Sequence, residues 1–149
     1  MDIIRAGYDQ LIRAPTKTIT FTGGAGAGAV GSVTVWTISG RVLIQILPPP
    51  FCTTDLTEAL ATATVSLGVT SSTGFLLGAT TSTAIDANEW WDDTTPALGI
   101  ATDIMTRGSS NPVVVSENII ITCATQATNG GVLVFDCWYR PLTAGASLS

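Results

Sequence analysis

The sequence predicts an all-β domain, a β-sandwich of jelly-roll type carrying an N-terminal arm, and three observations lead there. From Lys17 onward, short runs of alternating or β-branched residues recur between turn residues. No stretch after the arm holds the apolar period of a helix of any length. Thr, Ser, Ala and Gly dominate, while charged residues make up only 11% of the 149 residues, against roughly 25% in ordinary soluble domains. A chain of this length is one domain and is large enough to bury a real core.

Residues 1–15 form the arm and residues 16–149 the sandwich. In the arm, Ile3, Ile4, Tyr8, Leu11 and Ile12 stand at helix-like spacing between Arg5, Asp9 and Arg13; Gly7 interrupts the pattern and Pro15 stops it. Such a segment either caps one end of the domain as a short helix or docks on a partner. Thr18–Thr22 is the first strand, Val33–Ile38 the second and Arg41–Leu47 the third, with Ser39-Gly40 a tight turn between the last two. Pro48-Pro49-Pro50 ends the pairing, because three successive residues lack an amide donor. Thr53 to Leu60 reads as one helical turn. Further strands are expected at Leu60–Val69, Gly74–Thr81, Leu98–Met105, Val113–Val115, Asn118–Thr125 and Val132–Tyr139. About eight short strands without an intervening helix indicate a sandwich or barrel. Its core is expected to rest on Phe21, Trp36, Leu43, Ile44, Ile46, Phe75, Ile119, Ile121, Phe135 and Trp138.

Composition also excludes function classes. The formal net charge is −5, Lys17 is the only lysine and no basic cluster exists, which argues against nucleic acid as a partner. The chain has no histidine. That removes Ser-His-Asp and Cys-His catalysis, His-bearing zinc sites and the usual general base near neutral pH. An enzyme would have to work with carboxylates alone, so none is expected. The uncharged tracts Thr18–Gly40 and Ala59–Ile85 are broken by Gly and loaded with Thr and Ser, so neither reads as a membrane span. MDIIRAGYDQ lacks the basic start and apolar run of a secretory signal. A surface this poor in charge suggests cover by neighbours in an assembly.

Gly26-Ala-Gly28-Ala-Val-Gly31 has the G-x-G-x-x-G spacing of a dinucleotide loop, but that chemistry needs a helix to follow and supply its N-terminal amides. SVTVWTISGRVLIQIL follows instead, which is strand material. A Gly/Ala turn between strands is expected, and no cofactor. Cys52, Cys123 and Cys137 form no C-x-x-C and leave one unpaired in any disulfide scheme. If Asn129-Gly130 is a two-residue hairpin turn, Cys123 faces Asp136; a three-residue loop sets it opposite Cys137. Buried thiols are the preferred reading.

The densest polar cluster is AIDANEWWDDTTP, where Asp86, Glu89, Asp92 and Asp93 surround Trp90 and Trp91. Calcium binding would need more oxygens and the spacing of a calcium loop, which is missing. A carboxylate pair beside Trp residues could instead bind a sugar or a partner, and the plainest reading is a solvated loop whose Trp residues pack on the sandwich. In FDCWYRPL, Asp136 and Arg140 stand four apart, so on a continuous strand they share a face and form an ion pair beside Trp138.

Taken together, TITFTGGAGAGAVGSVTVWTISGRVLIQI, AIDANEWWDDTTPALGI and the late FDCWYRPL resemble the small decoration, or cement, proteins on the heads of tailed bacteriophages. The resemblance spans about Lys17 to Pro141 and is compositional. It implies a β-sandwich that assembles as a homodimer or homotrimer on the outer capsid surface of the virion, made in the host cytoplasm. It also implies contacts to the major capsid protein across subunit junctions, with the arm (Ile3, Ile4, Tyr8, Leu11, Ile12) as the contacting segment. The alternative expectation is a receptor- or carbohydrate-binding module of a phage tail or fibre that uses Asp86, Glu89, Trp90, Trp91 and Asp92.

Overall fold

A computed structural model describes residues 11–60, 62–92 and 112–149. In chain order the strands are β1 (Ile12–Arg13), β2 (Lys17–Thr20), β3 (Gly31–Trp36), β4 (Ile38–Ser39), β5 (Val42–Gln45), β6 (Phe51–Glu58) and β7 (Thr64–Val69). Then come β8 (Ser72–Thr81), β9 (Glu89–Trp90), β10 (Val113–Val115), β11 (Ile119–Ala124), β12 (Thr128–Phe135), β13 (Trp138–Pro141) and β14 (Ser147–Leu148). The only helical piece among the described residues is a single 3-10 turn at Ser82–Ala84.

One layer of the sandwich is the antiparallel sheet β3-β11-β7-β8. The other layer consists of two half-sheets in line, β1-β13-β5-β10 and β2-β12-β6-β9. β1 continues into β2, β5 into β6 and β12 into β13. Where the first pair breaks, the register slips by one residue: Ile12 faces Tyr139, yet Lys17 faces Phe135. Joined this way, the layer has the order β1/β2, β12/β13, β5/β6, β9/β10. Every connection then crosses between the layers except the β7–β8 hairpin. That is the connectivity of a jelly roll. A small sheet, β14-β4, closes the C-terminus onto the chain beside β3.

The breaks in the long strands lie side by side at Pro15–Thr16, Leu47–Pro50 and Asp136–Cys137, forming a crease across the layer. Backbone groups left without a ladder partner there are satisfied individually, as buried amides and carbonyls require. Ala14 N donates to the Cys137 carbonyl at 2.8 Å and Trp91 N to the Pro50 carbonyl at 2.7 Å. The indole N–H of Trp36 donates to the Pro15 carbonyl at 2.9 Å, and that of Trp138 to the Leu47 carbonyl at 3.1 Å. The indole groups thus both fill space and close the crease.

Phe21, Trp36, Ile44, Ile46, Ile119, Ile121 and Phe135 are buried as expected. Trp36 and Phe135 meet edge to face, with centroids 6.3 Å apart. Three expected core residues sit elsewhere. Phe75 is 50% exposed on the edge strand β8, while Leu43 and Trp138 alternate out of phase with buried Val42, Ile44 and Cys137 and so face outward, half covered. Trp91, not expected in the core, is fully buried.

Several local expectations are corrected. Thr53 to Leu60 is no helical turn; all but its last two residues belong to β6, because its Thr residues suit a pleated strand between β12 and β9. Asn129-Gly130 is no hairpin turn, since β11 and β12 lie in opposite layers. Cys123 faces Gly31 and Val65, neither Asp136 nor Cys137. Ser39-Gly40 turns a corner between sheets instead of joining paired strands, with Gly40 at φ +71° pressed on Thr143 and Ala146. Ile12, expected at the end of a helical pattern, is in a strand. The strand expected at Leu98–Met105 lies outside the described residues.

Candidate functional site

The Gly-rich stretch enters the fold as a compact turn. Ala27 N donates to the Gly24 carbonyl, and Thr22 N and Gly23 N donate back to the Ala27 carbonyl. β3 leaves it where a dinucleotide loop needs a helix. Its glycines serve approach between backbones: a Cβ on Gly28 would stand 2.2 Å from the Thr128 carbonyl oxygen.

The acidic Trp loop is built on the β6 edge. Asn88, at φ +66°, donates its N–H to the Cys52 carbonyl at 2.8 Å, which turns the chain into β9. The pairing of Cys52 with Glu89 and of Phe51 with Trp90 then sets the loop's orientation. Glu89 is buried, and its carboxylate accepts the Asp86 N–H at 3.2 Å. The Asp55 carboxylate accepts the Ala87 N–H at 2.6 Å. Trp91 points into the core and donates its indole N–H to Thr80 Oγ1 at 3.0 Å. Trp90 is half-buried and tilted against Phe51, centroids 4.7 Å apart, with its indole N–H unpartnered. Asp86 is exposed and Asp92 half-buried. Of the five ligand-loop residues singled out from the sequence, Glu89 and Trp91 are therefore committed to holding the loop, and no open row of aromatic faces results. Among the described residues, no group of three His, Cys, Asp or Glu side chains is placed to hold a metal ion.

Asp136 accepts hydrogen bonds from the Arg13 guanidinium at 2.8 Å and from Thr16 Oγ1 at 2.6 Å. The expected partner was Arg140, but the crease between β12 and β13 separates the two residues into different half-sheets. Partial burial pushes the Asp136 carboxyl up; the Thr16 hydroxyl and the Arg13 charge together outweigh that and hold it below its ordinary value. This latch ties the end of the arm segment to the domain. Ile12 and Arg13 pair with Tyr139 and Trp138, and Ala14 is buried. Leu11 is half-buried and Ile12 is exposed at the sheet edge; Ile3, Ile4 and Tyr8 lie outside the described residues.

All three cysteines are buried and free. Burial raises each thiol, Cys52 to about 11 and Cys137 to about 12, so none is an activated nucleophile. A shallow open groove of about 280 Å³ runs between β8 and β10, lined by Val69, Phe75, Val114 and Val115 and rimmed by Ser71, Ser72, Ser116 and Glu117. The Ser71 N–H and hydroxyl both donate to the Glu117 carboxylate at 2.8 Å, which fixes that rim. Sequence reasoning missed this groove because its walls come from three chain segments that share only the register of the sheets. No helix among the described residues is long and apolar enough to cross a membrane. No protein-family model matches the chain, and neither does any curated protein or solved structure.

Proposed function

We propose that this chain is a structural protein of a phage virion that binds the outer surface of the capsid across the junctions between capsid subunits and cements them. The observation that carries the reading is the jelly-roll connectivity of a domain whose polar side chains are spent on closing its own loops and crease. Glu89, Asp55, Asp136 and Glu117 each accept hydrogen bonds from their own chain, the thiols are sunk in the core, and the chain has no histidine. A cement needs none of these groups for chemistry. It needs a stable fold, many copies and modest contacts that multiply along a seam. The major capsid protein and further copies of this chain are its partners in this reading, with the arm as the capsid-contacting segment. No enzymatic step, nucleic acid or cofactor enters it.

The test is quantitative mass spectrometry of purified particles. Cement predicts a copy number of the same order as the major capsid protein, and a few copies per particle would sink it in favour of a tail or fibre module. Deleting residues 1–10 spares Ile12, Arg13 and Ala14, which the fold uses. It should leave the domain folded and lower capsid occupancy at least tenfold; undiminished occupancy overturns the arm assignment.

A further inference from the structure

The groove between β8 and β10 presents two large apolar side chains to solvent, Phe75 at 50% and Val114 at 54% exposure. At about 280 Å³ it falls below the roughly 300–1,000 Å³ of small-molecule pockets, but its shape suits a few side chains of an extended segment. One of its walls is an edge strand. Among the described residues β10 pairs only with β5, so the other side of its backbone has no ladder partner. Unpaired edges of this kind are templates for an added strand.

We propose that residues 1–10 of one copy add as a strand alongside β10 of a second copy and seat their apolar side chains in this groove. Three features of the fold select this occupant. The described chain begins at Leu11 beside β1, at the opposite edge of the same half-sheet from β10. Register places it at the right height: Val114 faces Leu43, Leu43 faces Arg140, and Arg140 lies one residue beyond the Ile12–Tyr139 pair, level with Leu11. Direction fits as well. β1, β13, β5 and β10 alternate strictly, so a neighbour set edge to edge brings its β1 side antiparallel to β10 and continues the sheet.

The sequence of the arm agrees. Taken as a strand continuous with β1, Ile4, Ala6 and Tyr8 fall on the same face as Ile12, which shares the core-side row of Tyr139, Ile44 and Val113. Arg5, Asp9 and Arg13 fall on the other face. Ten residues reach about 33 Å when extended. To reach its own groove the arm would have to double back across the outer face of its own sheet, about 14 Å wide between edge strands, over Trp138 and Leu43. A neighbour needs no such turn. The contact is heterologous, one surface of the arm meeting a different surface of the groove, and so produces closed rings or open chains. The inference rests on the arm being a docking segment. Its test uses the purified chain without a capsid, so failure here and failure of the cement reading are separable.

Chains bearing Tyr8→Cys are mixed with chains bearing Ser116→Cys and treated with a short thiol-specific cross-linker. The native cysteines are buried and do not compete. The expected result is a species of two-chain mass in the mixture. A cross-link that forms only within the double variant, at single-chain mass, places the arm on its own groove and overturns the proposal; so does the lack of any cross-link. By analytical ultracentrifugation, Val114→Lys and the deletion of residues 1–10 should each weaken self-association at least tenfold with an unchanged far-UV spectrum. Unaltered association in both variants, or a full-length chain monomeric at tens of micromolar, overturns it as well.

Discussion

Trp91 shows how far a single residue can depart from its local sequence. It follows Glu89 and Trp90 and precedes Asp92, so its surroundings announce a solvated loop, yet it is fully buried and hydrogen-bonded to Thr80. The deciding partner is eleven residues away on another strand, which no local pattern reveals. Trp91→Ala should cost about 3–5 kcal/mol, the range for a buried Trp, while Trp90→Ala should cost clearly less because Trp90 is half-exposed; urea unfolding checks both. Two pH effects follow at the same scale. Asp136 binds its proton more weakly in the folded chain than unfolded, so its latch contributes fully above the ordinary carboxylate range and is lost as pH falls through and below it. Asp136→Asn should therefore flatten the acid limb of stability and speed amide exchange at Ala14. The thiols act in the opposite sense. Their folded values, about 11 for Cys52 and about 12 for Cys137, lie above an unfolded thiol near 8.5. Their contribution is complete below that value and declines as pH rises toward the folded values. Alkaline denaturation followed by Trp fluorescence should show this limb, weakened in Cys137→Ala measured against its own neutral-pH stability.

At the scale of elements, strand existence was largely legible and strand partnership was not. Val113–Val115 was foreseen with its bounds, and β3, β7, β8, β11 and β12 were foreseen within a few residues, because alternation and β-branching report a pleated, half-buried surface directly. β6 was missed because Asp55, Leu56 and Glu58 imitate a helical turn, while its pairing with β12 runs through bulges that blur alternation. Asn129-Gly130 misled for a related reason. It sits inside β12, where Gly131 at φ +109° lets the backbone pass Asp55 and Leu56; a Cβ there would stand 2.5 Å from the Asp55 carbonyl oxygen. Gly131→Ala should thus cost more than Gly26→Ala, which meets nothing within 4 Å and bears only the strain of φ +72°, about 1–2 kcal/mol. Paired thermal melts of the two variants decide this, and equal costs would mean that the bulge relaxes freely. Of the candidate site, the acidic loop was visible as composition, whereas the groove, being a product of register across three segments, had no signal in the sequence to find.

For the whole molecule, the jelly-roll connectivity sets how the chain reaches its native state. The sandwich reading followed from strand count, but strand order did not, since every connection but one crosses between layers and no local pattern encodes a crossing. That same feature separates partners in sequence: β1 pairs with β13, β2 with β12 and β3 with β11. Before any of these pairs forms, most of the chain must be closed into a loop, and the entropy of closure precedes the reward of contact. The one local pair is the β7–β8 hairpin, too small to be stable alone. The domain should therefore refold in milliseconds to seconds, as all-β domains of non-local pairing do. Trp36 and Trp91, buried on opposite sides of the crease, report it by stopped-flow fluorescence. Stabilising the hairpin, for instance with Thr70→Asn followed by Ser71→Gly, should hardly change that rate, because the barrier lies in pairing the distant strands. A refolding phase that accelerates in step with hairpin stability would instead place β7 and β8 in the nucleus, and would mean that the second layer, not the long creased one, organises the fold.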